Sequence, residues 1–353
     1  MNSKDPQVKA TIRKAADQAF DQEMDEINRQ MEEEVMIALV GDVNAGKSST
    51  INQIIGDEVA GVGAEPGETT QIRPYPYREK IILIDTPGLN DVNVTNSSVT
   101  RDYYRKTDVV LFFLNAAGTV FSEAEQKSLE ALEKINTNIL IVLNKIDAAD
   151  EIDRLVRRIR QETGDRYEVI PISSRTGQNI DKLRSSILDM LKKKSKDILF
   201  ARTIKEKSST ANKWIIGAAT SAGAIGAAPI PGADIIPLTA IQIGLLTRLA
   251  ALYERPLSRE TAKEIVIASI VGNMGRSLFA QISKIFPGAG SVVGAGVAGS
   301  VTLALGYSVK YAYERGIDVT PDSISRLYRK FRDKVKKKDD LPAIEDEGSK
   351  RRS

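Results

Sequence analysis

Two rhythms of hydrophobic positions run along this chain. Over residues 5–33, Ala10, Ile12, Ala16, Phe20, Met24, Ile27 and Met31 recur at helical spacing among charges, which predicts one amphipathic helix filling an N-terminal element, residues 1–34. Its polar face is acidic, so a packing helix is expected rather than one lying on a membrane. From Val35 the pattern changes to short apolar runs: Val35–Val40, Ile81–Ile84, Val109–Leu114, Ile139–Leu143 and Val169–Ile172. Between them lie the amphipathic stretches Gly46–Ile55, Glu123–Ile135, Ile152–Gln161 and Ile180–Leu191. Strands alternating with helices predict an α/β domain over 35–194 built on a doubly wound, parallel sheet. Thr70–Tyr77 carries Pro74 and Pro76 and suits only an edge strand.

Past residue 194 the composition shifts. Residues 195–206 read as a basic linker, and 207–316 are rich in Gly, Ala, Ile and Val with few charges, predicting a mainly α-helical second domain. This region looks duplicated: Pro231-Gly232-Ala233 precedes an apolar segment ending Tyr253-Glu254-Arg255, and Pro287-Gly288-Ala289 precedes one ending Tyr313-Glu314-Arg315. Trp214–Ala233 and Ile285–Val309 carry no charge and are long enough to be candidate membrane spans, although Gly, Ala, Ser and Thr dilute their apolarity. Gly290, Gly294, Ala298 and Thr302 recur every four residues, a stripe that suits a membrane hairpin or a tightly packed soluble bundle. Residues 317–353 are expected to hold a basic helix, over 321–338, and a disordered tail.

Charge narrows the chemistry. Lys and Arg number 50 against 47 acids, so no global field points to nucleic acid, and the Lys192–Lys196 and Lys334–Lys338 runs read first as solvated helix ends. With no cysteine and no histidine, disulfides, thiolate metal sites, cysteine nucleophiles and imidazole bases are excluded. The N-terminus shows no apolar leader segment, which predicts a cytoplasmic chain, with any membrane contact on the cytoplasmic side.

Gly41-Asp42-Val43-Asn44-Ala45-Gly46-Lys47-Ser48 fills the phosphate-loop pattern between a predicted strand and a predicted helix. Its glycines let backbone N–H groups turn onto phosphate oxygens at a helix N-terminus; Lys47 would reach the β- and γ-phosphates and Ser48 would ligate Mg²⁺, with Ser49 beside it. Asp85-Thr86-Pro87-Gly88 follows an apolar strand, placing Asp85 for Mg²⁺ and the Gly88 N–H for the γ-phosphate. Asn144-Lys145-Ile146-Asp147 follows another: the Asp147 carboxylate can take two hydrogen bonds from guanine, where adenine offers the wrong donor pattern. Ser173-Ser174 could offer a backbone N–H to guanine O6.

In order and spacing these motifs resemble the Era–TrmE–FeoB class of translation-factor-related P-loop GTPases, over residues 35–194. The resemblance implies a small GTPase-type fold, GTP hydrolysis and a switch threonine. Thr69 and Thr70 are both candidates, with Thr70 favoured. Leu89 stands where Ras-type enzymes place a glutamine, so slow intrinsic hydrolysis is expected. Asn44 sits where some members of the class hold K⁺, which implies K⁺-stimulated turnover in a dimer of G domains. The loop Ala228–Asp234 is similar to Gly/Ala-rich C-terminal domains fused to Era-like GTPases, and Glu68-Thr69-Thr70 bears a fainter likeness to interferon-inducible GTPases. The leading expectation is a GTP/GDP switch that couples Thr70 and Asp85–Gly88 to a helical region engaging a membrane, at its surface or inserted. A ribosome- or RNA-associated assembly factor ranks lower, because no RNA-binding module is evident. A self-assembling GTPase is the third reading.

Overall fold

The computed structural model describes residues 6–42, 44–55, 73–77, 80–85, 98–204, 207–226, 235–271 and 296–327. They divide between two compact units: residues 28–207, and residues 1–27 together with 208 onward.

The first unit is built on a six-stranded sheet of β1 (Val35–Gly41), β2 (Arg73–Tyr77), β3 (Ile81–Asp85), β4 (Val109–Asn115), β5 (Ile139–Asn144) and β6 (Glu168–Pro171), in the order β2-β3-β1-β4-β5-β6. Five strands run parallel; β2 alone is antiparallel, pairing with β3 at the sheet edge where its two prolines leave no central ladder short of a donor. The apolar runs are explained by burial on both faces: Ile37, Leu39, Leu111, Phe112, Phe113, Ile141 and Val142 are all fully enclosed. The helices between strands are α2 (Lys47–Ile55), α3 (Ser98–Lys106), α4 (Glu123–Glu133) and α5 (Ile152–Glu162), and α6 (Ile180–Lys193) follows the last strand. Helix α3 has no counterpart in the apolar periodicity. Its sequence is mostly polar, and Tyr104 is its one deeply buried side chain among 101–106. Helix α4 starts on a capping box, with the Ser122 hydroxyl accepting from the Glu125 N–H and the Glu125 carboxylate from the Ser122 N–H at 2.6 Å.

Within the stretch read as a linker, α7 (Asp197–Thr203) buries Ile198, Phe200 and Ala201. Its Ile198 N–H donates to the buried Gln30 side chain, at the end of α1 (Pro6–Glu32), at 3.0 Å.

The second unit contains the first 22 described residues of α1, through Ile27, with α8 (Lys207–Gly226), α9 (Ile235–Tyr253), α10 (Arg259–Val271), α11 (Gly296–Glu314) and a final helical segment over 321–327. On α1 the buried stripe runs Val8, Ile12, Ala16, Phe20 and Ile27, so Val8 takes the place expected for Ala10, which is exposed. Its polar face meets α10: Asp17 pairs with Lys263 at 3.0 Å, Arg13 with Glu264 at 3.3 Å, and Asp21 with Arg259.

The duplicated segments become α9 and α11, each of 19 residues. Their equivalent tyrosines, Tyr253 and Tyr313, meet with ring centroids 5.7 Å apart, and the Tyr253 hydroxyl donates to Glu314 at 2.8 Å. Of the small-residue stripe, Ala298 and Thr302 lie on α11 and Gly306 continues it. A Cβ on Gly306 would stand 2.8 Å from Ile215 of α8 and 3.1 Å from Leu245 of α9, so the stripe packs helix on helix within this unit. Among the described residues, the helix long and apolar enough to cross a membrane is α9, with a mean hydropathy of 1.7 and 61% of its apolar window buried, rather than α8 or α11 within the two charge-free segments.

Candidate nucleotide site

Parallel strands place their C-terminal ends along one sheet edge, and the motifs collect there. Gly41 ends β1 beside Phe113 of β4, where a Cβ would stand 2.7 Å from the Phe113 carbonyl oxygen; only glycine permits that approach. The loop then turns through Asn44 (φ 64°) and Gly46 (φ 85°) into α2, whose first N–H groups lack intrahelical acceptors and present a partial positive charge. Asparagine tolerates the left-handed conformation that Asn44 adopts, and its side chain is exposed. A side chain on Gly46 would run into the Asn144 amide nitrogen. The Lys47 ammonium donates to the carbonyls of Gly41 at 2.8 Å and Asp42 at 3.1 Å, which holds it across the loop. Ala45 is buried, Ser48 is half-buried on the first turn of α2 and Ser49 is exposed.

Asn144, fully buried at the end of β5, ties three segments together. Its amide donates to the Ala45 carbonyl at 2.9 Å and to the Ser174 hydroxyl at 3.1 Å, while its oxygen accepts from the N–H groups of Lys145 at 2.8 Å and Ser174 at 3.0 Å. Lys145 takes a left-handed conformation (φ 65°) that turns the chain toward Asp147. The Asp147 carboxylate accepts from the buried Ser173 hydroxyl at 2.6 Å and lies 3.7 Å from the exposed Arg175 guanidinium. That hydroxyl bond, with help from Arg175 and Lys145, holds Asp147 below the usual carboxylate range, and so ionised at neutral pH.

The base-side turn differs in detail from expectation. The Ser173 N–H donates to Gln178 and the Ser174 N–H to Asn144, so both serve the protein. Arg175 carries the N–H at this turn that makes no hydrogen bond among the described residues, and the Ser-Ser pair alone gave no signal for it. Asp85 ends β3 in register with Leu39 of β1, two residues before Gly41, so the backbone brings it to the same edge as Ser48. A hydroxyl and a carboxylate are hard oxygen donors and fit Mg²⁺ shared with phosphates. Val43, Thr69, Thr70, Thr86, Gly88 and Leu89 lie outside the described residues.

Strand order, phosphate loop and base-side turn define a P-loop nucleotide-binding domain. Residues 36–145 match the family of 50S ribosome-binding GTPases. GTPase Era of Alkaliphilus metalliredigens is 30% identical over 191 residues, covering 48% of this chain and 64% of that protein. GTPase Der of Clostridium botulinum is 31% identical over 175 residues, covering 45% and 40%. The FeoB G-domain of Methanococcus jannaschii is a structural neighbour at 26% identity and a TM-score of 0.33, covering 45% of this chain and 99% of that one. Over residues 36–145 the chain is thus similar to 50S ribosome-binding GTPases, and to Era and Der over about half its length. The matched region spans less than two thirds of these curated relatives' own length.

Proposed function

We propose that this protein binds GTP and hydrolyses it to GDP and phosphate, as a Mg²⁺-dependent switch. The observation that carries the reading is the Asn144 junction, which joins the phosphate loop to the turn that positions an ionised Asp147. Asp147 takes the guanine N1–H and exocyclic amine, and Arg175 supplies an N–H donor beside it. Lys47 and the N–H groups at the start of α2 bind the phosphates. Ser48, Asp85 and Thr70 would hold Mg²⁺, which supplies positive charge to the β- and γ-phosphate oxygens. Thr70 and Gly88 carry the γ-phosphate response. Titration of the purified chain with fluorescent GTP, GDP and ATP analogues tests this; equal affinity for ATP would overturn the assignment of Asp147.

Turnover draws on K⁺ held at Asn44 between paired G domains. The exposure of Asn44 at the turn of the loop supports this. Rates equal in K⁺ and Na⁺, unchanged in Asn44→Ala, would exclude it. The switch output is membrane engagement by the helical unit, on the cytoplasmic side. It is supported by the apolar α9 and by Ile236, 58% exposed at its start. Liposome flotation with GTP, GDP and no nucleotide tests it, and identical soluble behaviour in all three counts against it. The match to ribosome-binding GTPases favours a second reading, ribosome association, which salt-sensitive co-sedimentation with ribosomes would reveal.

A further inference from the structure

At the sheet edge opposite the nucleotide site, three helices of the first unit end around one buried carboxylate. Asp108, 4% exposed, opens β4; it accepts from the Met36 N–H at 3.0 Å and from Lys196 at 3.1 Å, with Lys194 at 3.6 Å. The Asn136 amide, just past α4, donates to the Tyr104 and Thr107 carbonyls at the end of α3, both at 2.8 Å. Lys194, just past α6, also donates to the Thr107 carbonyl at 3.5 Å.

Lys106, Lys134, Lys192 and Lys193 each lie within two residues of a group bonded into this junction. All four are exposed, and none of their ammonium groups has a partner among the described residues. Of the nearby acids, Asp108 is engaged with Lys194 and Lys196, Asp102 with Arg105, and Glu33 with Arg29 and Lys196, while Glu130 and Asp189 are exposed one turn before Lys134 and Lys192–Lys193. Glu32 and Glu34 stand exposed on the Lys196 side. One lysine at a helix C-terminus is accounted for by the helix dipole. Four unpaired ammonium groups from three helix ends at one edge are not. The arginine-rich α5 shows the ordinary alternative, with Arg154 paired to Glu151 at 2.8 Å and Arg158 to Glu162 at 2.7 Å.

We propose that this edge is a docking face for an anionic lipid surface, seated by Lys106, Lys134, Lys192 and Lys193. The cations are lysines, point charges suited to a diffuse layer of phosphates rather than to bidentate recognition. Among the described residues of this edge no aromatic side chain is offered for base stacking: Tyr104 is 3% exposed and Tyr103 packs on the core. That favours headgroups over single-stranded RNA. Strand β4, seven residues long, sets the face about 20 Å from the nucleotide edge, so docking leaves that edge open. The proposal stands without the GTPase reading.

The test is flotation of the full chain with phosphatidylcholine vesicles, with and without phosphatidylserine. Binding is expected to rise with the anionic lipid, to weaken with salt, and to fall at about fivefold per lysine when the four are changed to glutamine. A second set changed to glutamate should fall further, while Arg154→Gln with Arg157→Gln on α5 should bind like the parent. Fluorescent GDP binding, measured in parallel, is expected to be unchanged in the lysine variants, and a chain that binds no GDP would leave the lipid result standing. Equal binding to neutral and anionic vesicles, or lysine variants that float like the parent, would overturn the proposal. So would duplex RNA displacing the vesicles with the same lysine dependence.

Discussion

Glycine does opposite work in the two units. Around the nucleotide edge, Gly46 (φ 85°) and Gly177 (φ 80°) sit in left-handed turns, and Gly41 lets β1 approach Phe113, so glycine there frees a backbone. In the helical unit, Gly244 and Gly306 lie inside regular helices, where their conformation needs no glycine and only the missing Cβ matters. Buried polar groups divide the same way. Asn144 and Ser173 fix loops at strand ends. In the helical unit Gln242 of α9 donates to Thr302 of α11 at 3.1 Å and accepts from Ser269 of α10, tying three helices through their interiors. At Gly244 and Gly306 the small residue is thus accounted for by close helix packing, and such packing does not by itself call for a lipid environment.

Substitutions can break or sharpen this contrast. The largest effect is expected from Gly46→Ala, which combines a strained φ with collision against Asn144; guanine-nucleotide affinity should fall about 100-fold or more in a fluorescence titration while circular dichroism keeps its helix signal. Asp147→Asn replaces an acceptor-only group by a donor and an acceptor, which matches xanthine. Competition binding should show GTP weakened about 100-fold and XTP gained. In the helical unit, Gln242→Leu leaves the buried Thr302 hydroxyl without its partner and should cost about 1–3 kcal/mol in urea unfolding. Adding Ser269→Ala and Thr302→Val should restore most of that loss. Gly306→Ala presses on the buried Ile215 and should destabilise by about 1 kcal/mol after its gain in helix propensity. Gly217→Ala, on α8 with nothing within 4 Å of a Cβ, should stabilise by about 0.5–1 kcal/mol.

Much of the nucleotide unit is legible in the sequence. Buried parallel strands give continuous apolar runs, and each chemical motif occupies a few consecutive residues immediately after one of them. Helix α3 was not legible, since it is mostly polar. Nor was the engagement of the Ser174 N–H, which depends on where Asn144 lies 30 residues away in the chain. In the helical unit the apolar segments ending Tyr253-Glu254-Arg255 and Tyr313-Glu314-Arg315, and the Ala298–Thr302 part of the small-residue stripe, could be read; Pro231–Ala233, Pro287–Ala289, Gly290 and Gly294 lie outside the described residues. What faces the stripe could not be read, because a period of four residues names a helix face and not its neighbour.

The sequence by itself determined the apolar strands, most of the helices between them and the motifs proposed to recognise guanine and phosphate, for these depend on short-range periodicity and on side-chain chemistry. Tertiary structure alone decided that the acids of α1 meet the bases of α10, that Asn144 bonds to Ala45, that Gly306 packs on Ile215, and that Lys194 and Lys196 meet the buried Asp108. Each of these joins residues far apart in the chain, and such pairings are fixed by how whole elements pack together.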